Sequence, residues 1–346
     1  MTDFAHTLIN WYEKNKRDLP WRNTKNPYLI WLSEVILQQT RVVQGLPYFL
    51  RFAEKYPQLK QLAQATDDEV FRLWQGLGYY SRAKNMLHTA RFLEQNYEGK
   101  FPNTYQKLLK LKGVGKYTAA AIASFAFQER VAVLDGNVFR VLSRYFGIET
   151  PINTTKGQKE FEKLSQTLLP EKNADIYNQA IMEFGALQCT PQKPDCMYCP
   201  LQGTCFAFDT QKQNILPVKL AKIKVKERFF AYVLLHFQGK IAMKKRNEND
   251  IWQNLYDFHL EELSDETSLN VWADKAFGNF GLSQKASNTY KHQLTHQKIY
   301  VKFFHFEIEK EKLEYLPKNL YFFDVEEIKK IPKPILIANY LQKEFF

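Results

Sequence analysis

The sequence predicts a mainly α N-terminal domain followed by a smaller α+β domain, and three observations carry that prediction. Apolar residues recur at helical spacing from the start, as with Phe4, Leu8, Trp11 and Tyr12. From Phe229 the pattern changes to strand-length runs, FFAYVLLHF and later KIYVKFFHFEIE. Between the two, four cysteines crowd into residues 189–205, and a polar, basic stretch containing Pro217 follows them. The expected boundaries are a helical domain over 1–206, a linker over 207–228 and an α+β domain over 229–346. With 346 residues, 45% of them apolar, the chain has material for two cores and is not a disordered protein.

Charge and the lack of targeting signals narrow the partners. Lys and Arg number 48 against 37 acids, a formal charge of +11 that favours a polyanion such as nucleic acid. No stretch approaches ~18 consecutive apolar residues. The N-terminus MTDFAHTLINWYEKN has no basic segment followed by an apolar run. Neither membrane insertion nor secretion is expected, which leaves the cytoplasm. Cysteines confined to one stretch fit a reduced compartment and one metal site better than a disulfide framework.

A first helix is expected over 3–16. RDLPWRNTKNPY is a loop broken by Pro20 and Pro27, and Asn26 before Pro27 reads as a helix start, cap then first-turn proline. YLIWLSEVILQQTRVVQ then reads as one helix, apolar almost all round and so buried. Glu34 lies inside it with Ile30, Trp31, Leu37 and Gln38 one turn away on either side. One reading of this glutamate is a solvated face. The other is a functional acid, because apolar neighbours raise a carboxyl pKa towards the range in which it works as a general acid. Thr66 and Glu69 form a capping box ahead of Val70, Phe71, Leu73 and Trp74. In GLGYYSRAKN, Gly76 and Gly78 break that helix and Ser81 starts the next; Tyr79 and Tyr80 either pack between helices or stack against bases.

The chain's organising stretch is 108–140. Gly113 and Gly115 flank Val114, between an apolar helix end (Leu108, Leu109, Leu111) and an Ala-rich helix from Tyr117 to Phe127. Glycine permits positive φ and close approach, and a helix starting here turns unpaired N–H groups outward, where they can hold a phosphate. An ordinary helix-turn-helix corner is the plain alternative; Lys112 and Lys116 in the turn bring a DNA backbone into equal standing with it. Asp135, twenty residues after Gly115, reads as the N-cap of a helix from Asn137 to Tyr145. Two further helices follow, marked by Phe161, Leu164 and Leu168 and by Ile176, Ala180, Ile181 and Phe184.

Cys189, Cys196, Cys199 and Cys205 form a C-x6-C-x2-C-x5-C pattern. Four thiolates that close in sequence can surround one compact inorganic centre. Iron–sulfur is one reading and zinc another, although four-cysteine zinc sites usually come as two short C-x(2–4)-C pairs and only the central pair here is short. Unligated buried cysteines are the third.

The Gly-Val-Gly turn followed by Asp135 resembles the helix-hairpin-helix of DNA glycosylases, and the cysteine spacing is similar to the four-iron four-sulfur loop of endonuclease III and MutY-type enzymes. With LPWRNTKNPYLIWLSEVILQQT added, the helical domain resembles a MutY-type adenine DNA glycosylase and the tail resembles its MutT-like, Nudix-like recognition domain. The resemblance implies removal of adenine mispaired with 8-oxoguanine or guanine in duplex DNA. It implies that Glu34 and Asp135 are catalytic, with Asn137 organising Asp135. Arg22 would line the adenine pocket, Gln39 enter the base stack and Tyr79 wedge beside 8-oxoguanine. The hairpin from Gly113 to Gly115, with Lys116, would hold the DNA backbone, and the four cysteines a 4Fe-4S cluster. Endonuclease III-type lyases carry a lysine where this chain has Tyr117. Tyrosine cannot form a Schiff base, and Lys116 would sit about 100° round the helix, so a hydrolase that leaves an abasic site is expected. A pyrimidine or mismatch-thymine glycosylase and a noncatalytic iron–sulfur DNA-binding protein are the alternatives. A monomer is expected.

In the tail, Trp252, Leu255 and Phe258 read as packing residues, and no complete Nudix hydrolase box is found, so metal-dependent pyrophosphate cleavage is not expected. HQLTHQKI stands where the family has a Phe-Ser-His loop. Thr295 keeps a hydroxyl and His296 is retained, while Leu294 cannot stack as an aromatic would. Helices are expected near Val271 and at Val325–Lys330.

Overall fold

Helices predominate as far as Asp209 and strands begin at Lys226 in the computed structural model, which describes residues 3–220, 225–269 and 283–346. The helices are α1 (Asp3–Asn15), α2 (Pro27–Leu37), α3 (Val42–Lys55), α4 (Leu59–Gln64), α5 (Asp67–Trp74), α6 (Ser81–Tyr97), α7 (Tyr105–Leu108), α8 (Lys116–Phe127), α9 (Gly136–Phe146), α10 (Thr155–Leu168), α11 (Ala174–Leu187) and α12 (Phe206–Asp209). The strands are β1 (Lys226–Phe237), β2 (Lys240–Lys245), β3 (Tyr256–Asp257), β4 (His259–Leu263), β5 (Ser283–Ala286), β6 (Tyr290–Gln293), β7 (Gln297–Glu307) and β8 (Tyr321–Phe323), and α13 (Val325–Lys330) and α14 (Ile335–Glu344) follow them.

The chain divides into two units, Met1–Gln64 with Asn85–Ala221 and Ala65–Lys84 with Lys222–Phe346. These units differ from the expected boundaries in two places. Residues 65–84 group with the C-terminal elements, where Lys245 Nζ lies 2.6 Å from Asp68 Oδ1 and Lys84 Nζ lies 3.2 Å from Gln253 Oε1. Much of the expected linker is also anchored. Arg144 Nε donates to the Leu216 carbonyl (3.1 Å), Ile152 N to the Val218 carbonyl (3.0 Å) and Leu220 N to Asn153 Oδ1 (3.0 Å), which ties 216–220 to the first unit. Lys226 to Arg228 are already β1. The helix expected near Val271 lies outside the described residues.

In the first unit, α1, α9, α10 and α11 share a core around Leu8, Leu142, Phe161, Ile181 and Phe184. Asn26 and Pro27 start α2 as predicted, with the Asn26 side chain accepting from Tyr28 N at 2.9 Å. The single helix expected over 28–44 is two. Gln38 turns extended and its amide bonds Thr118 Oγ1 at 3.1 Å, Gln39 enters the left-handed region at φ +56°, and α3 resumes at Val42. At the hairpin, Gly113 has φ +76°, and a Cβ there would stand 2.7 Å from Asn85 Cβ, so this position needs glycine twice over.

In the second unit, the predicted capping box is present, with Thr66 Oγ1 accepting from Glu69 N. The sheet runs β3-β2-β1-β7-β5, with β4 on β1, β6 on β7 and β8 on β2. Its centre is the parallel pair β1 and β7, registered as Phe230 with Val301 and Tyr232 with Phe303. Side chains alternate across a strand. Phe230, Tyr232 and Leu234 therefore face α13 and α14 through Ile328, Ile337 and Tyr340, while Ala231, Val233 and Leu235 build the core of the opposite face. Leu255 and Phe258 are fully buried and Trp252 packs beside them, as predicted.

Candidate active site

Three helices of the first unit converge their polar groups: α2 supplies Glu34, the first turn of α8 supplies Tyr117, and Asp135 caps α9. Glu34 is buried, 6% exposed, on a helix whose other faces pack. Burial raises its carboxyl to about 7. A hydrogen bond from Tyr117 opposes that rise, the Asp135 charge adds to it and Arg22 counters it. The Tyr117 hydroxyl is pushed well above its ordinary value by burial and by the charges of Glu34 and Asp135, so it remains a neutral donor. These influences place both carboxyls and the phenol in one electrostatic neighbourhood, although their helices are remote in sequence.

Asp135 is both a cap and a site acid. Its Oδ1 accepts from Asn137 N (2.8 Å) and Val138 N (2.7 Å), and its Oδ2 accepts from Asn137 Nδ2 (2.7 Å). Burial raises its carboxyl above the usual range, and these bonds with the Arg140 charge pull it back. Asn137 is itself held: Arg140 Nη2 donates to Asn137 Oδ1 at 2.9 Å, while the same guanidinium donates to the carbonyls of Gly185 and Cys189. The two acids thus differ in kind. Glu34 has one opposing phenol, whereas Asp135 has three donors fixed by the start of its helix.

Glu34 opens on a cleft lined also by Trp21, Arg22, Ile30, Phe125, Gln179 and Met182. Arg22 is fixed there by a partner that sequence reading missed. Its Nη1 and Nη2 donate to Glu183 Oε1 and Oε2 at 2.9 and 2.7 Å, and Arg17 holds the same carboxylate through its backbone N, Nε and Nη2. Burial pushes Glu183 up, but these bonds outweigh it and bring the carboxyl down to about 2.

The four cysteines face one cleft closed by Arg144, Tyr145, Phe184 and Leu201. Arg144 Nη1 stands 3.4 Å from Cys189 Sγ and 2.7 Å from the Thr190 carbonyl, so α9 supports this loop as well as Asp135. Burial raises the thiols of Cys196, Cys199 and Cys205, Cys199 to about 12, and the neighbouring thiols add to the rise in each case. Binding of a metal centre here must displace those protons. Among the described residues no three Cys, His, Asp or Glu side chains gather tightly enough to hold one ion.

Two of the sequence-predicted contact points of this unit are exposed. Gln39 is exposed in its left-handed turn. At the hairpin, α8 starts from Gly115 with no side-chain cap hydrogen bond, and nothing lies within 4 Å of where a Gly115 Cβ would stand.

Residues 32–171 match the family model described as the HhH-GPD superfamily base excision DNA repair protein, and residues 230–343 match that of the NUDIX domain. The adenine DNA glycosylase of Buchnera aphidicola subsp. Schizaphis graminum is 34% identical over 299 residues, covering 86% of either chain. The chain belongs to the adenine DNA glycosylase family. The family member from Mus musculus is 42% identical over 225 residues, 62% of this chain and 44% of that one. Among solved structures, a thermostable thymine-DNA glycosylase superposes with a TM-score of 0.56 at 31% identity, over 60% of this chain and 95% of that chain. The family named from the hairpin and the cysteine spacing is thus borne out, as is the order of its two domains.

The other sequence-predicted residues lie in the second unit. Tyr79 is 40% exposed at φ +49°, in a turn where Arg82 Nη2 donates to the carbonyls of Leu77 and Gly78. Thr295 and His296 are exposed at the tip between β6 and β7, while Leu294 packs against the core beneath them. Leu294 therefore acts as the foot of this loop rather than as a missing aromatic. Nothing in the sequence marked Arg17 and Glu183 as supports of the cleft, because they are 166 residues apart. Arg140 carried a weak signal, one helical turn beyond the Asp135 cap.

Proposed function

We infer that this chain hydrolyses the N-glycosidic bond of adenine mispaired with 8-oxoguanine or guanine in duplex DNA, the first step of base excision repair. The observation that carries this reading is Glu34, buried, raised to about 7, and sensing both Tyr117 and Asp135. Adenine is a poor leaving group as an anion. Glu34, substantially protonated at neutral pH, gives it a proton, which the family resemblance assigns to N7. As the bond lengthens the sugar becomes oxocarbenium-like, and the Asp135 carboxylate, whose charged form its three donors favour against burial, offsets the positive charge at C1′. Two carboxyls with different environments then hold opposite protonation states. Tyr117 supplies a hydrogen bond and no amine, which supports simple hydrolysis to an abasic site.

Arg22, clamped by Glu183, orients the adenine in the cleft. Duplex DNA is held through the hairpin at Gly113, Gly115 and Lys116, with Gln39 and Tyr79 filling or distorting the stack left by the extruded base. Thr295 and His296 offer hydrogen bonds to the 8-oxoguanine partner. Cys189, Cys196, Cys199 and Cys205 would hold a 4Fe-4S cluster. The four thiols line one cleft, where as thiolates they would together ligate such a cluster. Such a centre would brace the loop that α9 supports, and iron analysis of the purified protein tests it. The protein acts as a cytoplasmic monomer on chromosomal DNA.

A mismatch-thymine glycosylase is the second reading, favoured by the likeness to the thymine-DNA glycosylase structure. Single-turnover base release from duplexes bearing A opposite 8-oxoguanine, A opposite G and T opposite G separates the two. Adenine release in the first two supports the inference; thymine release alone overturns it. A protein that binds these duplexes with no turnover would be the noncatalytic alternative.

A further inference from the structure

The hairpin carries four exposed lysines, Lys107, Lys110, Lys112 and Lys116. Among the described residues the first three make no ion pair. Lys116, the first residue of α8, does: its Nζ lies 2.7 Å from Glu162 Oε1, reaching across from α10. Both side chains are open to water, Lys116 71% and Glu162 39% exposed. Tyr105, at the start of α7, stands near enough to feel both charges. An exposed pair of this kind contributes little to folding stability, so stability does not explain a carboxylate at this place. Its position does: it meets the one lysine that flanks the uncapped helix start, where a backbone phosphate would arrive.

We propose that Glu162 occupies Lys116 as a stand-in for phosphate and so restrains the hairpin's hold on duplex DNA, paired or mismatched. This rests on the DNA-binding reading above. Engagement of the hairpin exchanges one Lys116 partner for another and brings phosphates towards the Glu162 carboxylate, so the net gain from Lys116 is small on any ordinary stretch of duplex. The same Lys116 exchange enters binding of a mismatch duplex, so Glu162 lowers both affinities together and leaves contacts elsewhere to decide between the two.

Glu162→Gln removes the competitor and keeps the side chain's size. Its affinity for a fully paired duplex should rise about 3-fold to 10-fold near 0.1 M salt, with the log–log salt dependence steepening by up to ~0.9. Affinity for an A opposite 8-oxoguanine duplex should rise by a similar factor, leaving the preference between the two duplexes unchanged. Lys116→Gln should cost more affinity in the Glu162→Gln background than in the wild type, whereas Lys107→Gln should cost the same in both. Unchanged affinity and slope in Glu162→Gln would overturn the proposal, and so would weaker binding, which would make Glu162 an orienting partner of Lys116. If wild-type protein binds duplex and releases adenine in either case, only this proposal falls. A wild type that does not bind duplex sinks both.

Discussion

Arg22 and Glu183, 161 residues apart, meet through a two-pronged ion pair of 2.9 and 2.7 Å at the wall of the cleft that holds Glu34. Arg17 grips the same carboxylate from its other side. Bidentate guanidinium–carboxylate pairs fix direction as well as charge, so the cleft wall is set by one acid holding two arginines.

Removing that acid should be costly. Glu183→Ala leaves two arginines facing a buried gap and should destabilise the fold by about 3 kcal/mol at pH 7, the lower end of the range for broken buried pairs because Arg17 is partly exposed. Since Glu183 is held at about 2, below its ordinary 4.5, its contribution is complete above about pH 4.5 and is lost as pH falls towards 2. Urea unfolding at pH 7 and pH 3 checks this; the gap between wild type and variant should narrow at the lower pH.

Glu34 has the opposite dependence. Its folded value of about 7 lies above the ordinary 4.5, so stability is full below about pH 4.5 and is lost as pH rises through 7. Glu34→Gln does not ionise. It should be more stable than wild type at pH 8, by up to roughly 3 kcal/mol at 1.36 kcal/mol per pH unit, with the advantage gone at pH 4. Base release by the variant should nevertheless fall by about 10²–10⁴, and the wild-type single-turnover rate should decline as pH rises past 7. A rate that climbs with pH would mean that Glu34 is not the acid.

In the proposed reaction Tyr117 stands where the lysine of endonuclease III-type lyases would reach the sugar. Tyr117→Lys should convert part of the base release into strand cleavage at the abasic site, through an imine that borohydride traps as a protein–DNA adduct. No adduct on denaturing gels, in a variant that still binds DNA, would separate Tyr117 from the sugar.

The two hairpin glycines should behave differently. Gly113→Ala forces a Cβ to 2.7 Å from Asn85 Cβ at φ +76° and should cost about 1–3 kcal/mol. Gly115→Ala meets open space at φ −85° and should leave thermal unfolding near wild type, while weakening duplex binding because the new methyl stands where a phosphate would approach. Equal effects on stability would count against this division of labour.

Local chemistry made much of the molecule legible in advance. The Asn26–Pro27 start, the Thr66–Glu69 box, the Asp135 cap and the buried character of α2 follow from short-range rules, in which side chain and backbone are neighbours in sequence. Cysteine spacing and the hairpin likewise sit within single stretches, so they marked the family. The break at Gln38 and Gln39 was missed because a polar pair inside an apolar pattern says nothing of the Thr118 hydroxyl that captures it. The anchoring of 216–220 is not legible in the sequence because Arg144 and Asn153, which tie it down, lie 72 and 67 positions before their partners.

What the amino-acid order determined by itself is which residues could be acid, cap, ligand or phosphate holder, since those capacities reside in side-chain type and in helical and turn spacing. What only the tertiary structure decided is which of them act on one another. Glu34 sits near 7 because three helices exclude water around it and bring Tyr117 and Asp135 within reach, and Arg22 is oriented because Glu183 arrives from α11. Desolvation and ion pairing depend on distance in space, and no sequence spacing encodes that.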